Sequence, residues 1–239
     1  MRSVVGTGQR GRGRARAVGV AVLAVAVGLG VAACGTRART PLADDQMSGF
    51  LDDYSPLAPG GPEQPTFVYR DPDVRWDAYD RILFEPVTIW RSGKDSLAAI
   101  PPADLDRLAR ALHESVRAQL ARSFAIVQQP GPGTLRIRLA LTQARQSDPL
   151  LDIFTDAVEP GAELPADAPL GDATREFVAH AAIEGEISDA GSGRTLAAGV
   201  DRRRARELRT WGDVRAGADR WAAWFAGRLA QARGAAPSR

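Results

Sequence analysis

Apolar residues recur every three or four positions along two segments of the chain, residues 102–123 and 211–230. This spacing places them on one face of a helix, so the pattern predicts two amphipathic helices. Pro101-Pro102 with Asp104 is a start signal for the first helix, and Thr210 is a candidate N-cap for the second. The stripe of the second helix contains Trp211, Val214, Ala218, Trp221, Phe225 and Leu229. We interpret this stripe as core rather than as a surface that stacks on a ligand.

Shorter segments predict strands. Residues 79–90 are rich in β-branched and aromatic side chains, and Pro86 within them implies an edge position or a bulge. Residues 124–128 form a short apolar run. Residues 134–144 alternate strictly, which predicts a half-buried antiparallel strand. One side of that strand carries Leu135, Ile137, Leu139 and Leu141, and the other carries Arg136, Arg138, Ala140 and Thr142.

Two further alternating segments, residues 176–188 and 195–203, flank the turn sequence DAGSGR and predict a hairpin. Small residues on its inner faces are expected to allow close packing of a helix. The predicted fold is therefore α+β: a two-layer sandwich with a mainly antiparallel sheet of about five strands and two amphipathic helices on one face. Residues 147–172 form a long loop, and loops of this length are either functional or mobile.

The longest apolar run lies at the amino terminus, residues 17–33, after a segment with five arginines and no acidic residue. That order is typical of a secretory signal peptide. The run falls short of the roughly 20 strongly apolar residues that span a bilayer, so a cleaved signal is favoured over a transmembrane helix. We predict a signal peptide over 1–33, a flexible tether over 34–47, one domain over 48–232 and a disordered tail over 233–239.

The only cysteine, Cys34, directly follows this run and the small residues Val31-Ala32-Ala33. The arrangement resembles the lipobox of a bacterial lipoprotein, and the resemblance implies that Cys34 carries acyl chains such as palmitate once residues 1–33 are removed. Two or more chains hold a protein stably at a membrane that it does not span. In the Gram-negative lipoproteins that this arrangement resembles, an Asp after the cysteine tends to retain the protein in the inner membrane, so the resemblance implies that Gly35 favours the inner leaflet of the outer membrane, facing the periplasm. The alternative is an incidental thiol behind an ordinary cleavage site.

Loss of the signal changes the charge balance. Of 31 lysines and arginines, five precede Cys34, which leaves 26 against 29 acidic residues. The mature chain is therefore mildly acidic and shows no long basic stripe, which argues against nucleic acid as a partner.

Two apolar segments are candidate surfaces for an unknown envelope partner. In the first, the residues fall at helical spacing before a Pro- and Gly-rich stretch, so a short helical turn with one apolar face is expected. That face either docks on the domain's own core or binds another protein. The first segment contributes Phe50, Leu51, Tyr54 and Leu57, and the second, in the long loop, contributes Leu150, Leu151 and Phe154.

Catalytic chemistry has few candidates. The two histidines, His113 and His180, are expected on the polar side of the first helix and on a strand, which favours structural roles over a general base. Glu184 and Glu186 share one strand face and Asp201 lies on the returning strand, so the three could bind a divalent cation or act as an acid and a base. The alternative is a solvated strand face paired with Arg202 or Arg204 across the hairpin. No cofactor is expected.

Three stretches carry a family resemblance: SGFLDDYSPL (48–57), AAIEGEISDAGSGRTLAAGVDRR (181–203) and TWGDVRAGADRWAAWFAGRL (210–229). Together with the lipobox they resemble a family of proteobacterial lipoproteins known only as a domain of unknown function. The resemblance implies an envelope location and a single domain, and it supplies no catalytic residues. We therefore predict a non-enzymatic, lipid-anchored interaction domain, with a metal-binding protein or enzyme centred on Glu184, Glu186 and Asp201 as the alternative.

Overall fold

A computed structural model describes residue 42 and residues 47–90, 96–143, 165–202 and 208–234 of the chain. In chain order these residues form β1 (Ala58–Pro59), β2 (Phe67–Arg70), β3 (Arg81–Phe84), β4 (Thr88–Ile89), α1 (Pro102–Leu120), β5 (Ala125–Ile126), β6 (Thr134–Gln143), α2 (Asp172–His180), β7 (Ala181–Asp189), β8 (Thr195–Asp201) and α3 (Trp211–Gly234). Short 3-10 turns occupy Trp76–Ala78 and Ser96–Ala99.

The strands form one mixed sheet in the order β1-β2-β8-β7-β6-β3-β5, with β4 pairing beside β3 on β6. The long central pairs, β6 with β7 and β7 with β8, are antiparallel, whereas β3, β4 and β5 join through parallel pairs. The predicted α+β class and mainly antiparallel sheet are confirmed, but the predicted number of strands is too low. The strands β1 and β2 were missed because they are short and lie in a Pro- and Gly-rich stretch without alternation.

The prediction for residues 79–90 is confirmed with one change. The chain forms β3 and β4 rather than one strand, and the break falls at Glu85–Val87, around Pro86. Proline has no backbone N–H and cannot continue a ladder, so the strand is interrupted where it pairs with β6. The result is a one-residue bulge against β6, since Phe84 pairs with Ile137 and Thr88 with Ala140. Among the described strands β5 reaches only Arg81 and Ile82, so Pro86 also lies at an edge of the sheet.

The alternation along β6 divides the sheet into two faces, as predicted. Leu135, Ile137, Leu139 and Leu141 point to the face that α1 and α3 cover, which we call the helix face. Arg136, Arg138, Ala140 and Thr142 point to the other, which we call the open face. Residues directly opposite each other in a ladder share a face, so the register of β6 with β7, and of β7 with β8, assigns the side chains of those strands to the helix face or the open face as well.

The segment 176–188 was predicted as one strand, and this prediction is wrong for its first half. Asp172–His180 is the helix α2, and β7 starts only at Ala181. An alanine-rich segment with few large apolar residues is compatible with the helical period of about 3.6 residues and with the strand period of 2. Alanine is also the strongest helix former. Phe177 is buried against the core, so the helix is fixed by packing on its apolar side.

The two long helices pack against each other and on the helix face. The predicted N-cap of α3 is confirmed as a reciprocal pair: Thr210 Oγ1 accepts the backbone N–H of Asp213, and Asp213 Oδ2 accepts that of Thr210. Such a capping box satisfies donors that the first helical turn leaves unpaired. The core on this face combines α1, α3 and β6 with Phe177 and Trp76.

A smaller apolar cluster covers the open face. It consists of Leu42, Phe50, Leu51, Leu57, Ala140, Ala182, Ala198 and Val200. The helical turn expected over residues 50–57 is absent, since this segment is irregular and ends in a turn at Ser55-Pro56. Leu42, within the predicted tether, is 5% exposed and belongs to the cluster, so docking on the sheet begins before residue 48.

Among the helices of the described residues, none has the length and apolar character needed to cross a membrane. The predicted signal peptide and most of the tether lie outside the described residues, and α3 extends to Gly234, slightly past the predicted domain boundary.

Candidate functional site

The first candidate partner surface faces the sheet. Phe50, Leu51 and Leu57 are 5%, 4% and 7% exposed, so their apolar side chains are covered by the open face rather than presented to solvent. Of the two alternatives considered for this segment, the structure shows docking on the chain's own core. The Phe50 ring packs edge-on against Trp90 at 5.5 Å, and the Arg138 guanidinium lies 5.1 Å above it.

The Tyr54 hydroxyl anchors this segment. It donates a 2.6 Å hydrogen bond to Oε2 of Glu184, and it accepts backbone N–H groups from Gly49 at 3.0 Å and Leu51 at 3.2 Å. Ser48 Oγ lies 3.2 Å away. Gly49 has φ of 86°, a left-handed conformation that glycine adopts without a steric penalty and that wraps the chain around the hydroxyl. The segment SGFLDDY is therefore a loop closed by its own tyrosine.

Glu184 is not on a solvated strand face. It is 1% exposed, and its other oxygen, Oε1, accepts a 3.0 Å hydrogen bond from Thr142. One hydroxyl donor, Tyr54, belongs to the amino-terminal segment and the other, Thr142, belongs to β6. The carboxyl group of Glu184 therefore links that segment to the open face of the sheet. The solvated-face interpretation is wrong for this residue, because Tyr54 and the apolar cluster cover it.

The three predicted carboxylates do not form one site. Glu184 pairs with Val200 and lies on the open face, whereas Asp201 pairs with Ile183 and lies on the helix face. Within the described ranges no group of three acidic, histidine or cysteine side chains is arranged to hold a metal ion. The backbone pleat separates Glu184 from Asp201.

Glu186 shares the open face with Glu184 but has other neighbours. Its Oε1 lies 3.9 Å from Nη1 of Arg138. Burial raises the pKa of Glu186, the positive charge of Arg138 opposes that shift, and the negative charge of Asp52 adds to it. Glu186 thus forms a partly buried ion pair with Arg138 of β6, not the pairing across the hairpin with Arg202 or Arg204 that the sequence analysis gave as the alternative.

On the helix face, Asp201 is held by the last helix. It is 5% exposed, and its Oδ2 accepts a 3.0 Å hydrogen bond from the indole Nε1 of Trp221. The indole of Trp221 stacks on the ring of Phe225 at 5.2 Å with an interplanar angle of 8°. Trp221 therefore has its polar edge on the sheet and its flat face against the next turn of α3.

Two cavities flank Trp221 between α3 and the sheet. The first, cavity A, has a volume of about 390 Å³ and lies between α3 and strands β2, β7 and β8. The second, cavity B, has a volume of about 430 Å³ and lies between α3, α1 and α2. Both volumes fall in the range of roughly 300–1,000 Å³ typical of small-molecule sites. The two cavities share Ile183, Asp201, Trp221 and Trp224.

The inner wall of cavity A is apolar and aromatic. It is formed by Trp76, Leu139, Ile183, Ile187, Ala197, Trp221, Trp224, Phe225 and Leu229. Exposed polar residues surround its mouth: Gln64, Arg70, Arg228 and Gln231. The cavity thus has a mainly nonpolar interior, with the buried Asp201 in its lining, and a polar, positively charged entrance.

Small residues on the strands leave this space open. Gly185 and Gly199 face each other across β7 and β8, and Ala197 is next to them. A Cβ on Gly185 would lie 2.6 Å from Cδ2 of Leu139, so the floor admits no side chain there. The small residues of the hairpin and the indoles of Trp221 and Trp224 thus line the same cavity between α3 and the sheet.

The histidines are not part of a catalytic arrangement with the predicted carboxylates. The His113 ring stacks on Phe84 with centroids 4.7 Å apart and an interplanar angle of 7°. Burial lowers its pKa, and Arg117 lowers it further. His180 ends α2 rather than lying in a strand, and its Nδ1 is 3.2 Å from Oε1 of Glu176.

Some predicted site residues lie outside the described residues. These are the lipidation candidate Cys34 and the candidate partner-binding residues Leu150, Leu151 and Phe154. Conversely, sequence reasoning missed Trp224 and Arg228 as cavity residues. Trp224 is off the predicted apolar stripe, and its neighbour Trp221 was assigned to the core.

Comparison with protein-family models shows which family the chain belongs to. A family model described as a protein of unknown function (DUF3313) matches residues 46–225. The chain belongs to the DUF3313 family. The match contains the Tyr54 loop, Glu184 and the first 15 residues of α3. All residues that line cavity B lie within it, whereas Arg228, Leu229, Gln231 and Ala232 of cavity A lie beyond its end. No curated protein and no solved structure matches the chain significantly.

Proposed function

We propose that this DUF3313 protein is a non-enzymatic binding domain, lipid-anchored through Cys34 to the inner leaflet of the outer membrane, and that cavity A is its ligand site. The observation that carries the proposal is an apolar, aromatic-lined space of about 390 Å³ that opens beneath α3. Concave apolar sites with a few polar groups at the entrance are the usual form of ligand pockets.

The lining supports binding rather than catalysis. Nucleophilic catalysis needs a nucleophile with a base in hydrogen-bond reach. Among the described residues, neither cavity is lined by serine, cysteine or histidine. The buried acid, Asp201, is engaged by Trp221. The walls of cavity A would provide contact area for a ligand and fix its orientation.

The anchor rests on the sequence alone. The arginine-rich start, the apolar run over 17–33 and Cys34 after three small residues support a lipidated cysteine. The domain would then be held close to the membrane surface, where amphiphilic molecules are concentrated. This location fits an apolar ligand site.

Binding is testable with the full-length protein by native mass spectrometry of material purified from envelopes. The wild type is expected to carry non-covalent small-molecule adducts, and Ala197→Phe, which fills cavity A, is expected to lose them. Ala223→Phe is the matched control because it adds the same ring on an exposed position of α3. Adducts that persist in Ala197→Phe, or are absent from the wild type, would contradict the cavity as a ligand site. Far-ultraviolet circular dichroism checks that the variant folds.

Anchoring is tested separately by metabolic labelling with an alkyne fatty acid. The label should appear on the wild type and on Thr36→Ala, and it should be lost in Cys34→Ser. An unlabelled wild type, or equal labelling of Cys34→Ser, would refute lipidation at this residue.

A further inference from the structure

The charged residues at the entrance of cavity A narrow the class of ligand. Arg70 projects from β2 and Arg228 from α3, so the two guanidinium groups border the opening from opposite walls. Both residues are exposed. The carbon between the guanidinium nitrogens of Arg70 lies 5.2 Å above the ring of Trp76, which keeps the group at the aromatic wall.

The arginines of α3 are used in two different ways. Arg215 and Arg233, at the outer turns, bind α1 and the segment that follows it: Arg215 contacts Glu114 at 3.2 Å, and Arg233 donates to the carbonyl of Ser123 at 2.6 Å. Arg220 and Arg228 border the cavities instead. Within the described part of the chain neither forms an ion pair or a hydrogen bond.

The acidic groups near cavity A do not cancel this charge at the entrance. Asp201 lies at the inner end, where Trp221 donates to it. Glu186 belongs by its register to the open face, where Arg138 is its ion-pair partner. The remaining polar residues at the mouth, Gln64 and Gln231, are neutral. The entrance therefore carries two guanidinium groups, and the interior is apolar apart from Asp201 at its inner end.

We propose that cavity A binds a single-chain anionic amphiphile, with its acidic headgroup at Arg70 and Arg228 and its hydrocarbon chain against Trp221, Trp224 and Phe225. This inference rests on the proposed function, whose ligand class it specifies. Guanidinium groups bind carboxylates and phosphates through charge-assisted hydrogen bonds. Each methylene group buried against the wall is removed from water, which favours binding of the chain.

The charge of the ligand can be tested with photoreactive amphiphiles that share one diazirine-bearing chain and differ in headgroup. The anionic probes are a fatty acid and an alkyl phosphate, the cationic probe is an alkylamine, and the neutral probe is an alcohol. Each is added in trace amount to the full-length protein in neutral dodecyl maltoside micelles, and labelled peptides are located by mass spectrometry. We expect the anionic probes to label α3 around residues 221–228 several-fold more than the others. The stronger anionic probe identifies the headgroup as carboxylate or phosphate.

Variants of the entrance complete the test. Arg228→Gln is expected to weaken anionic labelling of α3 about tenfold, as loss of one charge-assisted contact would. Arg215→Gln, on the same helix but away from cavity A, should leave it unchanged. Equal labelling by all four probes, or no effect of Arg228→Gln, would overturn the anionic class while leaving a cavity that binds apolar molecules. Absence of any label on residues that line cavity A would overturn both proposals.

Discussion

The Tyr54 hydroxyl oxygen lies 2.6 Å from Oε2 of Glu184, a residue 130 positions further along the chain. This hydrogen bond joins the segment that follows the predicted tether to the centre of the sheet. It also gives a nearly fully buried carboxyl group one of its two hydroxyl donors. The open face of the sheet is therefore closed by the amino-terminal part of the same chain.

Removal of this hydroxyl should destabilise the fold. Tyr54→Phe leaves Glu184 with Thr142 as its donor and deprives the Gly49 and Leu51 N–H groups of their acceptor. Buried groups left unpaired cost about 1–3 kcal/mol, so we expect a loss of this size in the free energy of unfolding. Denaturant titration measures it. Tyr69→Phe, on β2 under the same cluster, is the control and should change stability by less than about 0.5 kcal/mol. Equal effects of the two variants would contradict the anchoring role.

The same tyrosine predicts a loss of stability in alkali. Burial raises the pKa of Tyr54, and the hydrogen bond to Glu184 raises it further. The unfolded chain releases this proton near pH 10, before the folded chain does, so the contribution is complete below about pH 10 and is lost as the pH rises through the higher folded value. Unfolding free energies at pH 8 and pH 11 should differ less in Tyr54→Phe than in the wild type. An identical difference in both proteins would refute this assignment.

A buried pair on the helix face predicts a second stability effect. Thr174 Oγ1 on α2 donates a 2.6 Å hydrogen bond to Oδ2 of Asp104 in the first turn of α1. Thr174→Val keeps the shape but leaves this carboxyl oxygen without its donor, so the free energy of unfolding should fall by about 1–3 kcal/mol. Thr88→Val, at an exposed position of β4, is the matched control with a change below about 0.5 kcal/mol. Thermal or denaturant unfolding measures both variants. An unchanged free energy of unfolding in Thr174→Val would show that the hydrogen bond between Thr174 and Asp104 does not stabilise the fold.

His113 should titrate below an ordinary histidine. Burial beside Phe84 lowers its pKa from the usual 6.5, so it resists protonation in the folded chain. Its contribution to stability is present above the unfolded pKa of about 6.5 and is lost as the pH falls through the lower folded value. Nuclear magnetic resonance titration of the ring proton, assigned by its absence in His113→Gln, gives the midpoint. A midpoint at or above that of an unstructured peptide would contradict the buried environment.

Several elements of the fold could be predicted from local pattern because local pattern causes them. The strand β6 alternates since one of its faces is core and the other carries arginines, and α1 and α3 have a helical period since each packs on one side. The capping box at Thr210 and Asp213 is likewise local. In contrast, α2 and β7 share one alanine-rich segment in which both periods fit, so only packing of Phe177 separates helix from strand.

The sequence by itself determined the α+β class, the two long helices, the faces of β6 and the position of Cys34 after an apolar run, because these depend on residue types at fixed spacing. The tertiary structure decided the environment of the candidate residues. Burial of Glu184 depends on Tyr54, and separation of Glu184 from Asp201 depends on the register of β7 and β8. The cavities depend on residues that are far apart in sequence, since the indoles of α3 and the small residues of β7 and β8 meet only when the helix packs over the sheet.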